Sequence, residues 1–573
     1  MDQISKKNKI NKRIEILRSK FLKYGIDGYI VPKNDEYFTE YSRINRLKII
    51  SNFSGSAGIV VILKKKNYLF TDGRYTIQSQ IESGKNFKII DYKKLLNCNL
   101  FQNLILGIDP KLFTYKQIKR FFLKNNKIKL IKKNLIDEIK KEKINDNSSF
   151  FSLNKSIVGE SSTSKINKVS KYLKKNKSDY LFVSAPENVA WTLNIRGADN
   201  PNSPIPNSRL LISKTKKIFL ISKLQKTKKL IRNKIIKSDQ VISDENFPKK
   251  ILQLKGKKFI IDNKSCSIFF EDIIQSKFKI INQDDPIYDF KSIKNKTEIK
   301  NTINTHVIDG VALTKFLYWI KKTNKKKINE VQAQNKLESF RKLNKNYLYP
   351  SFDTIAGSGK NGAIVHYRAN NDNCKIIKKN DIFLCDSGGQ YKYGTTDVTR
   401  TICFSKPKPF IKNIFTKVLK GHIAVALTNL KKDNIGKKID TRARRFLKES
   451  NLDYAHGTGH GVGFFLNVHE GPQSISKFNK IKIKEGMILS NEPGYYKKNN
   501  FGIRIENLIF VKKNNKSIFF ENLTLAPIDK ELINYKMLTR LEKNYLFKYH
   551  LDTYSKLSEY LNYRERTWLA SLI

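Results

Sequence analysis

The chain has 573 residues, 111 Lys+Arg against 51 Asp+Glu, a formal net charge of +60 and five cysteines. That length predicts three or four domains, and 39 % hydrophobic with 11 % aromatic residues excludes a disordered chain despite the charge. The charge does not mark a dedicated nucleic-acid surface: the first 300 residues hold 63 Lys+Arg and 28 Asp+Glu and the rest 48 and 23, with no arm or stripe, so a compositional drift toward Lys, Ile and Asn explains it better.

Cys98, Cys266, Cys374, Cys385 and Cys403 are odd in number and scattered, without a CxxC pair. This argues against a disulfide scaffold or a thiolate zinc site and for a reducing compartment, the cytoplasm. The basic N-terminus lacks the apolar stretch of a signal peptide, and Asp2 and Glu15 weigh against a mitochondrial-type presequence. No apolar run reaches the roughly 18 residues of a membrane span.

In chain order, Ile14, Leu17, Phe21 and Leu22 predict an amphipathic helix ending near Tyr24. DGYIVPKNDEYF reads as a strand and a polar loop, and residues 58–63, a KKKN turn and 68–72 read as a hairpin. The theme restarts with a Lys-rich helix near 166–175, then SDYLFVSAPENVAWTLN and the hairpin SRLLISKTKKIFLIS. Asp27-Gly-Tyr-Ile-Val and Asp179-Tyr-Leu-Phe-Val occupy matching places 152 residues apart, so two related α/β domains are expected, over 1–155 and 156–291. The Pro- and Asn-rich stretch 196–207 reads as an ordered loop. A third domain, 292–573, opens on a capping box, Asn295-x-x-Glu298, with Ile299, Ile303, Val307 and Val311 at helical spacing. Near the far end, Thr539-x-x-Glu542 caps another helix with Leu546, Tyr549, Tyr554, Leu557 and Leu561 along one side, a stripe most often used for core packing and, at a terminus, also suited to a subunit interface.

The chemistry concentrates in residues 352–507. Five of the chain's seven histidines lie there, and four of them, His366, His456, His460 and His469, stand beside unusual carboxylates. DIFLCDSGGQYKYGTTDVTRTICF reads as strand, Gly-Gly turn and strand, with Asp386 ending the first strand and Asp397 in the second. KIKEGMILSNEPGYYKKNNFGIRIENLIF repeats the plan, with Glu492 on a Pro-Gly turn and Glu506 on the return strand. The acids are 11 residues apart in the first hairpin and 14 in the second, as in an internal duplication. One such acid alone is best read as a solvated turn residue. Four that converge in an apolar setting would repel unless cations neutralise them. With one imidazole they form an oxygen-rich set suited to two hard or borderline divalent ions such as Mn²⁺. HGTGHGVG lacks the GK[ST] ending of a phosphate loop. His460 is assigned to metal and His456 to the substrate pocket, on the expectation that they face different sides of an extended strand.

These residues carry a resemblance. The third segment resembles the pita-bread metallopeptidases, and specifically long-form aminopeptidase P, in IVHYRA (364–369), DSGGQYKYGTTDVTRT (386–401), HGTGHGVGFFLNVHEGP (456–472), NEPGYY (491–496) and GIRIEN (502–507). SGSAGIVV, TDGRY and AWTLNIRG resemble motifs of that family's two N-terminal domains, so the likeness spans almost the whole chain. It implies two creatinase-like α/β domains followed by a pita-bread catalytic domain of α+β type. It implies five metal ligands, Asp386, Asp397, His460, Glu492 and Glu506, for two divalent ions. Catalytic roles fall on His366, His469 and Glu492; His366, His456, His469 and Arg504 form the substrate-binding set, Arg504 also bracing the carboxylates. The implied reaction is hydrolysis of the Xaa-Pro bond at a peptide N-terminus, with the first amino acid released. The implied partners are peptides with proline second, in a cytoplasmic homodimer.

Prolidase, a dipeptidase of the same fold, is the closest rival; NVHEGP and two full N-terminal domains favour the aminopeptidase. A non-catalytic pita-bread binding module is disfavoured by retention of all five ligand types. A dedicated nucleic-acid protein is disfavoured by the diffuse charge.

Overall fold

The computed structural model describes residues 2–140, 148–323, 327–515 and 517–573. The chain forms two compact units: residues up to Asn154 with Glu160–Ile287, and Lys155–Gly159 with Tyr288–Ile573.

The first unit holds two six-stranded sheets of one topology. The strands run Lys88–Asp91, Asn67–Thr71, Ile59–Leu63, Gly28–Pro32, Ile105–Ile108, Lys127–Leu130 in one. They run Val241–Ile242, Ile218–Ile221, Arg209–Ser213, Tyr180–Val183, Lys258–Ile261, Lys279–Asn282 in the other. In both, the middle three strands pair antiparallel and the outer ones add in parallel. The repeat extends to single side chains. Asp27 accepts from the Ile105 N–H (2.9 Å) and Lys64 Nζ (2.7 Å); Asp179 accepts from the Lys258 N–H (3.0 Å) and Lys214 Nζ (2.7 Å). Each lysine comes from the turn of its hairpin. The backbone bond and Lys64 hold Asp27 below the usual carboxylate range, and Lys214 with two amides overcomes burial to bring Asp179 to about 2.

At the N-terminus Ile14, Leu17 and Phe21 are buried as expected, but Leu22 is 93 % exposed. A helical residue turns by about 100°, so the position after Phe21 leaves the apolar stripe. The helix is also interrupted at Lys20 and restarts as Phe21–Tyr24. The 196–207 loop is ordered by its own side chains: Asp199 accepts from the Asn207 N–H (2.6 Å), and Asn200 Nδ2 donates to Asn207 Oδ1 (2.9 Å).

The second unit repeats helix, helix, strand, strand, short hairpin, strand. Its first half runs Lys296–Lys322, Glu330–Lys342, Ile355–Ser358, Ile382–Ser387, the hairpin Gly389–Tyr391/Gly394–Thr395, and Val398–Cys403. The second half runs Pro409–Ala426, Gly436–Lys448, Gly459–Gly461, with Glu470–Ile475 inserted, then Ile488–Asn491, the hairpin Gly494–Lys497/Phe501–Arg504, and Asn507–Lys513. Asn295 and Thr539 cap their helices through reciprocal bonds with Glu298 and Glu542. Leu546, Tyr549, Leu557 and Leu561 are buried in the core of this unit.

Alternation along the strands decides what faces inward. Phe383, Cys385, Val398 and Ile402 pack in one cluster with Leu313, Leu317 and Leu337 of the outer helices. Leu384, on the opposite face, packs with Ile355 and Tyr367. The period of two therefore puts Asp386, Thr399 and Thr401 on the face turned away from the helices.

Candidate active site

Asp386 pairs in register with Thr399, and Ser387 with Val398. Extending the ladder by one residue sets Gly388 opposite Asp397. Asp397 thus lies just before the return strand and not within it as the sequence suggested. The Gly-Gly segment is a separate short hairpin that pairs with Tyr347–Pro350 in another sheet. The second half is built alike: Asn491 pairs with Asn507, so Glu492 stands opposite Glu506, which likewise precedes its strand. Glu492 corresponds to Gly388, and Asp386 to Ser490. Side chains two residues apart share a face, so the first half offers its carboxylate one step further back on that same face.

Ser490 retains a polar role: its hydroxyl donates to Glu492 Oε1 (3.1 Å) and accepts from the His460 N–H (3.0 Å). The halves are stitched together around the acids. The Glu506 N–H reaches the Thr399 carbonyl (3.1 Å), and Thr399 Oγ1 donates to Glu506 Oε2 (2.7 Å). Arg400 donates to the carbonyls of Thr399 (2.8 Å) and Glu506 (2.7 Å) and to Asn507 Oδ1 (2.7 Å).

His460 is central. Its Nδ1 lies 3.0 Å from the Gly461 carbonyl, so that nitrogen is the donor of the neutral ring. Its Nε2 faces Asp397 Oδ2 at 3.4 Å and Glu492 Oε1 at 3.5 Å. A lone pair aimed at two carboxylates requires a positive charge between them, a proton or a metal ion. These carboxylates push the imidazole up to about 9 against the opposing effect of burial. Ligand atoms of Asp397, His460 and Glu506 lie within 4.8 Å of one another. Asp386 Oδ1 is buried with no hydrogen-bond partner, while its Oδ2 accepts from Arg504 Nη2. Burial, then Asp397 and Glu492 against the pull of Arg504, raises Asp386 to about 6. Burial and the other three acids push Glu506 well above its ordinary range. Burial also opposes ionisation of Glu492, but His460, with Arg504 beyond it, outweighs it and holds this acid below its usual range. An orphaned carboxylate oxygen, an imidazole lone pair and four convergent acids are a donor set that fits divalent cations.

Arg504 is buried and commits its guanidinium to Asp386, to the Tyr496 hydroxyl (2.5 Å) and to Thr399 Oγ1 (3.1 Å). These bonds brace the acids and leave the side chain facing protein on each of these sides. Residues four apart on a strand would share a face, so alternation does not separate His456 from His460; His456 lies outside the 459–461 strand, and the irregular 452–458 segment separates the two. Its Nδ1 bonds the Gly457 carbonyl (2.7 Å) and its Nε2 accepts from the Tyr496 hydroxyl (2.9 Å). Burial brings it down to about 4, so the ring is neutral.

His469 is exposed, with its ring centre 4.3 Å from that of His460. His366 is half-buried in the turn after Gly359–Ala363, and the flanking Ile364 and Tyr367 pack in the cluster that reaches Leu384 and Tyr496. That turn docks backbone to backbone: a Cβ on Gly502 would lie 1.8 Å from the Gly362 carbonyl oxygen. Glu330 locks it from beneath, accepting from Tyr367 OH (2.8 Å), Asn361 Nδ2 (2.9 Å) and the Ser358 N–H (2.7 Å). The sequence reading missed Tyr496, which links Arg504 to His456, although NEPGYY pointed at it. It also missed Thr399 and Ser490, which no local pattern marks, and the pair Asp440–Arg444, whose i, i+4 spacing marks an ion pair but not its contacts with the loop.

Residues 301–513 match metallopeptidase family M24, residues 13–138 and 141–298 each match a creatinase/prolidase N-terminal domain, and residues 516–572 match the C-terminal region of peptidase M24. The chain is 36 % identical to a probable Xaa-Pro aminopeptidase P of Laccaria bicolor, over 97 % of this chain and 92 % of that one. It is 36 % identical to Xaa-Pro aminopeptidase 1 of Dictyostelium discoideum, over 98 % and 96 %. Its fold matches the crystal structure of an X-prolyl aminopeptidase from Caenorhabditis elegans, described as a cytosolic enzyme with a di-nuclear active site. That match has a TM-score of 0.91 and 28 % identity, covering 98 % of this chain and 99 % of that one. A prolidase from Pyrococcus horikoshii matches with a TM-score of 0.52 and 27 % identity, but covers only 65 % of this chain.

Proposed function

The chain belongs to the aminopeptidase P group of metallopeptidase family M24, and from that membership we propose that it hydrolyses the Xaa-Pro bond at peptide N-termini, releasing the first amino acid. The observation that carries this reading is the set of three buried acids, Asp386, Asp397 and Glu506, with the half-buried His460 and Glu492, in a chain aligned almost end to end with aminopeptidases of that specificity. The prolidase reading leaves a third of the chain unexplained.

Those five residues would hold two divalent cations, Mn²⁺ by the hardness of the set, which when bound supply Lewis-acid activation of water and of the scissile carbonyl. Glu492, ionised and oriented by Ser490, takes the proton given up by the attacking water and returns it to the departing proline nitrogen. The tetrahedral intermediate can expel the proline nitrogen only as an amine, so this proton transfer is required for release. His456, neutral and fixed by Tyr496, lines the proline pocket. His366 and His469 contact the substrate backbone and stabilise charge on the carbonyl oxygen. Arg504 braces Asp386 and contributes to substrate binding only through Tyr496 and His456. Three domains, 1–155, 156–291 and 292–573, form the subunit of a cytoplasmic homodimer; among the described residues no helix is long and apolar enough to cross a membrane.

The test is metal analysis of purified protein beside cleavage of a Xaa-Pro-Xaa tripeptide and a Xaa-Pro dipeptide. Two equivalents of divalent metal and tripeptide cleavage are expected. Exclusive dipeptide cleavage would establish the prolidase reading, and Mn²⁺-reconstituted protein with neither metal nor activity the binding-module reading.

A further inference from the structure

The helix Gly436–Lys448 lies outside every motif used above, yet two of its side chains reach the loop that carries His456. Asp440 and Arg444, one helical turn apart and both buried, form an ion pair with Arg444 Nε 2.8 Å from Asp440 Oδ2. The rest of the guanidinium is directed at the loop. Nη1 donates to Asp453 Oδ1 (2.6 Å) and the Tyr454 carbonyl (2.8 Å), Nη2 donates to the His456 carbonyl (2.6 Å), and the Tyr454 ring lies 3.9 Å beneath. The second oxygen of Asp440 takes the Thr458 hydroxyl (2.7 Å), which also bonds Tyr454 OH. The Thr458 carbonyl accepts the N–H of Glu492 (2.8 Å).

We propose that the Arg444–Asp440 pair and Thr458 are positioning residues that hold His456 of the proline pocket and the backbone of Glu492 in one fixed spatial relation. The inference rests on the roles given above to His456 and Glu492. Its chemistry is that of a buried planar fork: two carboxylate and two backbone oxygens are held at once, which a lysine's single ammonium cannot reproduce. Thr458 occupies the midpoint between His456 and His460, so its hydroxyl sets where the loop turns from pocket to metal site. Groups that orient ligands in this way are typically worth about 10–100-fold in activity or metal affinity.

The experiment compares Thr458→Val, which keeps the shape and removes the hydroxyl, with Thr458→Ser, which keeps the hydroxyl. kcat, KM and bound Mn²⁺ are measured at a temperature where circular dichroism shows each variant folded. Thr458→Val is expected to lose about 10–100-fold in kcat/KM with weaker Mn²⁺ binding, and Thr458→Ser to recover most of both. Arg444→Lys, which frees the His456 carbonyl but retains a charge beside Asp440, is expected to raise KM for the Xaa-Pro substrate more than it lowers kcat. A Thr458→Val enzyme with wild-type kcat, KM and Mn²⁺ affinity and only a lowered melting temperature would overturn the proposal, reducing the network to a structural one. If Arg444→Lys does not fold, the Thr458 pair decides alone. Failure of the functional reading is distinguishable, since the wild type itself would then not cleave the substrate.

Discussion

Two groups of buried acids in the second unit have opposite electrostatics. Glu470 sits with Lys291 Nζ at 2.9 Å and Lys294 Nζ at 2.5 Å, all three side chains about 1 % exposed. Burial opposes its ionisation, but the two ammonium groups outweigh it and hold Glu470 below its ordinary range. Asp386, Asp397 and Glu506 are buried too and Glu492 is half-buried, yet the four carboxylates share one guanidinium and one charged imidazole, and Asp386 and Glu506 are driven upward. Burial is common to both; the cations supplied by the chain are not. A carboxylate whose compensation is built in is part of the scaffold, and a group left short of positive charge is a place for added cations.

The contrast can be broken from either side. The largest effect is expected at the under-compensated group: Asp397→Asn or Glu506→Gln abolishes turnover with the fold intact, read by tripeptide cleavage beside circular dichroism; near-normal activity in either would count against the site. At the compensated group, Lys294→Met leaves a buried charge half-paired and should cost about 3–5 kcal/mol in urea unfolding, with activity lost only as the protein unfolds. pH separates the two next. In EDTA-treated protein Asp386 is raised to about 6, so its favourable contribution is present below the unfolded carboxylate pKa and lost as pH rises through about 6. Glu470 is lowered, so its contribution is present above the unfolded pKa and lost as pH falls through the folded one. Asp386→Asn should therefore flatten the stability profile on its neutral side and Glu470→Gln on its acid side; identical profiles would remove the distinction. The smallest effect is His469→Ala, expected to lower kcat with little change in bound Mn²⁺, because the ring flanks His460 without replacing it as a donor.

Much of this was legible in the sequence because it is local. Capping boxes, strand alternation and the matching Asp27 and Asp179 are short-range patterns, and so are the acids flanking each turn. The hairpin between Asp386 and Asp397 was not legible, since Gly389–Tyr391 pairs with Tyr347–Pro350 some forty residues earlier. Glu470 stood in the HEGP motif without a role because its lysines come from residues 291 and 294, a separation no periodicity records. Arg444 reads as an ordinary helix-surface base, and only the folded loop reveals its five contacts.

The contact of Gly502 with the Gly362 carbonyl has an evolutionary consequence. Lysine, isoleucine and asparagine recur in every segment of the chain, with side chains that need room. At residue 502 the chain can accept none, because a single methyl would wedge the turn bearing His366 away from the strand that ends in Arg504. Selection for activity from a library randomised at this codon should return glycine alone.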